Sequence, residues 1–209
     1  MTSAVQATPG ADHTELRHVL RSGVQLGVLQ SILIGLFAVL QPRIAGVTEL
    51  VVLGVILIVG IAATIVLPGT WTRARSIEGI AGAAGIGLAA AVVFMLIDVT
   101  FFQNFGIWTN RWLEIGGGSN WWYHPVWWMV GTFMPWMGAW VQSNQAAKTG
   151  ASNPPALVIG TVVLALVIMA GATLAKFPGA AFGLGTFGVA VLPALAIMVA
   201  VTSVGVRRS

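Results

Sequence analysis

Residues 119–140 read SNWWYHPVWWMVGTFMPWMGAW, and the reading of this run as a membrane span decides the architecture. It holds six of the nine tryptophans, the single tyrosine Tyr123 and one of the three histidines, His124. The question it raises is whether so many rings mark a site or only the level at which the chain meets lipid.

The surrounding composition places the chain in a membrane. Of 209 residues, 57% are hydrophobic and 8% charged, whereas soluble domains carry about a quarter charged residues. The absence of cysteine excludes disulfides, thiolate metal sites, c-type haem attachment and thiol catalysis. The sequence pI is about 10.8, but the ten basic residues are spread through short loops and form no nucleic-acid patch. The N-terminus is a polar tail followed by a full-length apolar segment, unlike the short apolar stretch and cleavage site of a secretory signal.

A helix needs about 20 apolar residues to cross the hydrocarbon core. Six runs qualify: Gly23–Leu40, Leu50–Leu67, Gly79–Phe102, Trp121–Gln142, Pro155–Ala175 and Ala181–Val206. Breakers separate them at Gln41–Arg43, Pro68–Thr70, Ser152–Pro155 and Lys176–Gly179. With six spans both termini share a side. One side then holds Arg17, Arg21, Arg73, Arg75, Lys148, Arg207 and Arg208, and the other Arg43, Arg111 and Lys176. Basic loops stay cytoplasmic, so both termini are expected inside a bacterial-type inner membrane.

The expected fold class is therefore an all-α membrane protein, a six-transmembrane-helix bundle. Residues 1–22 are read as a cytoplasmic tail with a short juxtamembrane helix, and residues 23–209 as one transmembrane domain. Asp12 and Glu15 resemble a capping box for that short helix. His13 and His18, five apart, would not share a helix face, which argues against a metal site there. Between helices 3 and 4, Phe105, Trp108, Trp112 and Ile115 recur on one helical face. They predict a short interfacial amphipathic helix stopped by Gly116–Gly118.

Small residues mark the packing surfaces. Gly23, Gly27, Ser31 and Gly35 form a ridge on the first span, and Ala81–Gly85–Ala89 and Ala83–Gly87–Ala91 form two on the third. Helices in lipid associate by close backbone approach over such residues. The first-span ridge suits packing inside the bundle or against another subunit. Pro135 and Pro193 each remove a backbone donor within a span and predict kinks.

Two ionisable groups lie within spans, where charge is costly. Counted inward at 1.5 Å per residue, Asp98 is about 9 Å and His124 about 6 Å deep, on neighbouring antiparallel helices. The pair could be a structural link between helices 3 and 4, a proton or cation site tuned by the imidazole, or a ligand set for a pigment or metal through His124. A bis-histidine haem needs a second membrane histidine, and a retinal Schiff base a lysine deeper than Lys176. No soluble-enzyme motif is present.

The tryptophans divide. Trp108, Trp112, Trp121 and Trp122 fit an aromatic belt at the headgroups. His124, Trp128, Thr132, Trp136 and Trp140 lie four apart in one ridge that reaches well inside the bilayer. Indoles at that depth want an acceptor, a glycine to lie against, or a flat ligand or partner. These features point to a non-catalytic integral membrane subunit of a larger assembly, bioenergetic complexes being one such class, with helix-packing and lipid, isoprenoid or pigment contacts. The alternatives are a small proton- or cation-coupled transporter or channel using Asp98 and His124, and a pigment- or metal-binding protein with His124 as ligand. Its partners are membrane lipids and other membrane subunits, not nucleic acid, and no particular cofactor is implied.

Overall fold

The computed structural model describes residues 13–107 and 123–206, and among these there is no strand. Six long helices follow one another: α1 (Leu16–Leu40), α2 (Gly46–Trp71), α3 (Ile77–Ile97), α4 (Tyr123–Thr149), α5 (Pro154–Leu174) and α6 (Leu184–Ser203). Five stretches are long and apolar enough to cross a membrane: Leu16–Arg43, Gly46–Trp71, Ile77–Phe102, Pro154–Leu174 and Leu184–Ser203. The helix built from the opening run, α4, is not among the five. Its first half owes its apolar surface to indoles, and its second half carries Gln142, Ser143, Asn144 and Gln145.

Helix limits follow local chemistry. The juxtamembrane helix and the first span are one helix, because nothing between Leu16 and Leu40 breaks it. Glu15 occupies the N-cap position without a side-chain cap, and Asp12, with its expected capping box, lies outside the described residues. The second span was expected to stop before Pro68, yet α2 continues to Trp71. A proline costs a helix one donor, and here a neighbour supplies donors to the next carbonyls: Gln142 Nε2 reaches Ile65 O at 3.3 Å and Val66 O at 3.1 Å. At the start of α3, Ser76 Oγ accepts from the Gly79 N–H at 3.4 Å. Helix α5 opens on Pro154 and Pro155, where no intrahelical N–H is needed, and Asn153 Oδ1 accepts from the Ala156 N–H at 3.0 Å. The expected interfacial helix at Trp108, Trp112 and Ile115 lies outside the described residues.

Helices α3 and α4 occupy the middle. α1 packs on α3, α3 on α4, and α4 on α2 and α6, with α5 resting mainly on α6. The largest core cluster joins Ile61 and Ile65 of α2, Met134, Met137 and Val141 of α4, Leu157 of α5, and Phe187, Val191 and Leu195 of α6. The opposite sides of the flanking helices expose aliphatic side chains, among them Val24, Val28 and Ile32 on α1 and Val163 and Val167 on α5.

The small-residue ridge of α1 is spent inside the bundle, on α3. A Cβ on Gly23 would stand 2.5 Å from Ala89 Cβ, and one on Gly27 2.7 Å from Val93 Cβ. Ser31 is buried with its Oγ donating to Gly27 O at 2.8 Å, and a Cβ on Gly35 would meet the Phe102 ring at 3.1 Å. The two helices run parallel, with partners offset by 66 residues at Gly23–Ala89 and Gly27–Val93 and by 67 at Gly35–Phe102. The extra residue falls in the π-helical turn Asp98–Phe102 that closes α3. A π-turn inserts one residue into the ladder. It carries Phe102 inward onto Gly35 and leaves Phe101 outside, 52% exposed.

At the centre, a Cβ on Gly87 would collide with Gly131 O and with Pro135. Gly87→Val should therefore force α3 and α4 apart and lower stability by at least the roughly 1–3 kcal/mol typical of overpacking. Gly171→Val, at an α5 position with no atom within 4 Å of the new Cβ, should melt near wild type. Thermal unfolding of both variants in detergent, followed by circular dichroism, checks this.

Candidate functional site

The contacts between α3 and α4 form a ladder that climbs one helix and descends the other. Ala83 and Ala139 share a buried cluster. Gly87 meets Gly131 and Pro135, and Gly131 meets Ala91, whose Cβ would lie 2.9 Å from a Cβ added there. Phe94 packs on Trp127 with ring centroids 4.7 Å apart. Each pair lies about one turn beyond the last; Asp98 follows Phe94 by about one turn on α3, and His124 precedes Trp127 by about one turn on α4.

Asp98 is fully buried, with no exposed surface. It continues the buried face of α3 that runs through Ala91, Phe94 and Met95, and the π-turn that begins there brings Phe102 inward as well. Its backbone carbonyl accepts from the Gln103 N–H at 2.9 Å, and its Oδ2 accepts from Gln103 Nε2 at 2.7 Å. The carboxylate is thus held by an amide donor within its own turn, and π-turns recur at functional sites. His124 is partly buried, with Nε2 shielded from solvent.

Of the ridge His124–Trp128–Thr132–Trp136–Trp140, Trp128 and Trp136 turn outward, whereas Trp140 packs against the buried cluster of Ala74, Ile80, Ala83 and Ala139. Trp128 is 46% and Trp136 40% exposed, and Thr132 Oγ1 donates to Trp128 O at 2.7 Å. Trp136 and Trp140 lean together at 5.9 Å between centroids, and Trp140 packs partly into the core. The glycine row of α3 is filled by Gly131 and Pro135, so it is not where Trp128 and Trp136 lie. Trp127, one residue off the ridge, lays its ring on Phe94 of α3.

A second polar constellation escaped the sequence reading. Gln142, Ser143 and Asn144 are buried, and Gln145 partly so. Each bonds a different neighbour. Gln142 holds the α2 carbonyls, and its Oε1 accepts from Thr70 Oγ1 at 3.2 Å. Ser143 Oγ donates to Arg75 O at 3.2 Å. Asn144 Nδ2 donates to Thr202 Oγ1 at 3.2 Å and Ser203 Oγ at 2.9 Å at the end of α6. Gln145 Oε1 accepts from the Asn153 N–H at 2.9 Å ahead of α5. Four consecutive polar residues after an apolar run were the available signal. They have the chemistry of a helix-end anchor, not of a catalyst.

The N-terminal histidines also sit differently from expectation. His13 precedes the helix, so the face rule does not govern it, and its ring meets that of His18 edge-on at 5.8 Å. His13 N–H donates to Thr72 O at 2.9 Å, and His18 Nε2 lies 3.1 Å from Trp71 O. The two residues cap the end of α2, whose last carbonyls lack intrahelical donors. Among the described residues, no group of three or more His, Asp or Glu side chains comes together as metal ligands.

The chain matches no protein-family model, no curated protein and no solved structure.

The anchor is the part of this architecture most open to a stability test. Gln142→Leu leaves Thr70 and two α2 carbonyls without this partner. It should cost about 1–3 kcal/mol, the penalty for unsatisfied buried polar groups. Denaturant titration in mixed micelles measures it, and a wild-type midpoint would show that the amide contributes nothing.

Proposed function

We propose that this protein is a non-catalytic integral membrane subunit that docks on a larger membrane assembly through the outward face of α4. In this reading α4 is the fourth of six spans, the membrane is of the bacterial inner type, and both termini are cytoplasmic. The observation that carries it is the exposure of Trp128, Met129 and Trp136 on a helix otherwise enclosed by α2, α3 and α6. Indoles are over-represented where partners bury them, because a large ring with one N–H suits a desolvated contact. The flanking helices expose aliphatic side chains that lipid alone satisfies.

Purification in a mild detergent tests the reading. The wild-type chain should migrate with a large complex, and the double variant Trp128→Ala, Trp136→Ala should lose most of that association. Hot-spot truncations of about 2 kcal/mol each would lower affinity by more than a hundredfold together. A wild-type chain that isolates as a stable monomer or homo-oligomer would sink the docking idea.

The α3–α4 ladder favours a second reading, a proton- or cation-coupled transporter using Asp98 and His124. Buried carboxylates and imidazoles are typical of proton relays in membranes. Under it, Asp98→Asn should abolish ion flux in proteoliposomes while keeping helicity. Wild-type flux in that variant would remove the proposal.

A further inference from the structure

Beside the π-turn, on the α1 side, lies an open slot of about 350 Å³ between the C-terminal halves of α1 and α3. Ile32, Leu36 and Val39 form one wall, and Ile97, Phe101 and Ile107 the other. Its floor is low because Gly35 has no side chain and Ser31 turns its hydroxyl back onto Gly27 O. The lining is almost wholly apolar.

Two further observations decide what fits. The first is length. From Val28 to Val39 the α1 wall covers twelve residues, whose eleven steps span about 16 Å of helix at 1.5 Å each. One leaflet of hydrocarbon is about 15 Å, half the core thickness. The slot thus matches one acyl chain in one leaflet and falls short of a long isoprenoid tail.

The second is charge. Val39 ends the slot on α1, and its carbonyl accepts from the Arg43 guanidinium one turn further on. That contact fixes the cation at the mouth and uses one of its five N–H donors. Arginine's planar fork suits phosphate oxygens. Arg43 is also one of only three basic residues assigned to the sparsely charged side of the chain, so orientation does not call for it there.

We infer that this slot binds one acyl chain of an anionic phospholipid, with the lipid phosphate on Arg43. The site is independent of the docking and transport readings, since it needs only that α1 and α3 cross a bilayer. A zwitterionic lipid fills the slot equally well but presents its own cation beside the guanidinium, which weakens the headgroup contact.

The test uses the full chain in nanodiscs of equal parts dioleoylphosphatidylglycerol and dioleoylphosphatidylcholine. Lipids retained on gentle extraction are counted by native mass spectrometry. Wild type should retain phosphatidylglycerol about fivefold over phosphatidylcholine, the effect of one basic residue near an anionic headgroup. Arg43→Gln should bring the ratio near one. Ile32→Trp or Leu36→Trp, each at an exposed position on the slot wall, should expel the lipid although Arg43 remains. Leu166→Trp on α5, exposed and far along the chain from the slot, should behave as wild type. Equal retention of the two lipids by wild type, or an undiminished preference in Arg43→Gln or in both tryptophan variants, would overturn the site.

Discussion

The bundle depends on the contact between the backbones of α3 and α4 at Gly87 and Gly131. In lipid no water satisfies a backbone carbonyl, so each must find a partner within the protein. Pro135 has no N–H to offer Gly131 O four residues earlier, and that carbonyl lies against Gly87, where any side chain would strike it. Contacts of the Cα–H···O type contribute about 0.5–1 kcal/mol each, less than a full hydrogen bond. The larger consequence is geometric, since a glycine facing a glycine lets two helices touch along several turns. Everything above and below then falls into register, from Ala83 beside Ala139 up to Phe94 on Trp127.

The same helix is secured differently at its two ends. Its C-terminal part is held by Gln142, Ser143, Asn144 and Gln145, which reach α2, the turn before α3, the end of α6 and the start of α5. Gly138 permits this by letting α4 lie directly on Ile65 O, where a Cβ would clash. Pro68 opens that stretch of α2, and the Gln142 amide serves the adjacent carbonyls. Proline in one helix and glutamine in the next act as a matched pair. Toward the other end the buried Asp98 of α3 takes hydrogen bonds from Gln103 of its own chain segment, and His124 in the first turn of α4 is partly buried.

Much of this was legible in the residues. Five of the long helices followed from long apolar runs, whereas α4 forms without reaching that apolarity, and the Gly23–Gly27–Ser31–Gly35 ridge was visible as a four-residue repeat. Its destination was not, because a row of small residues fits a neighbouring helix and a foreign one equally well. Pro68 misled because a proline reads as a stop unless its rescuing donor is known, and Gln142 is 74 residues away. His13 and His18 were judged by helical spacing, a rule that lapses once His13 lies outside the helix. The π-turn left no mark in the pattern, yet it settles which of Phe101 and Phe102 points inward.

The opening run shows why polarity and position must be weighed together in a membrane helix. By composition α4 falls short of the five apolar stretches, yet it is the helix the others surround. A helix enclosed by α2, α3 and α6 need not be apolar all round, because its polar groups find partners in those neighbours instead of lipid. That freedom admits the four-residue polar anchor and His124. It does not extend to the one side left open, where a polar surface would face hydrocarbon. There α4 presents Val126, Trp128, Met129 and Trp136, side chains that hydrocarbon can accommodate.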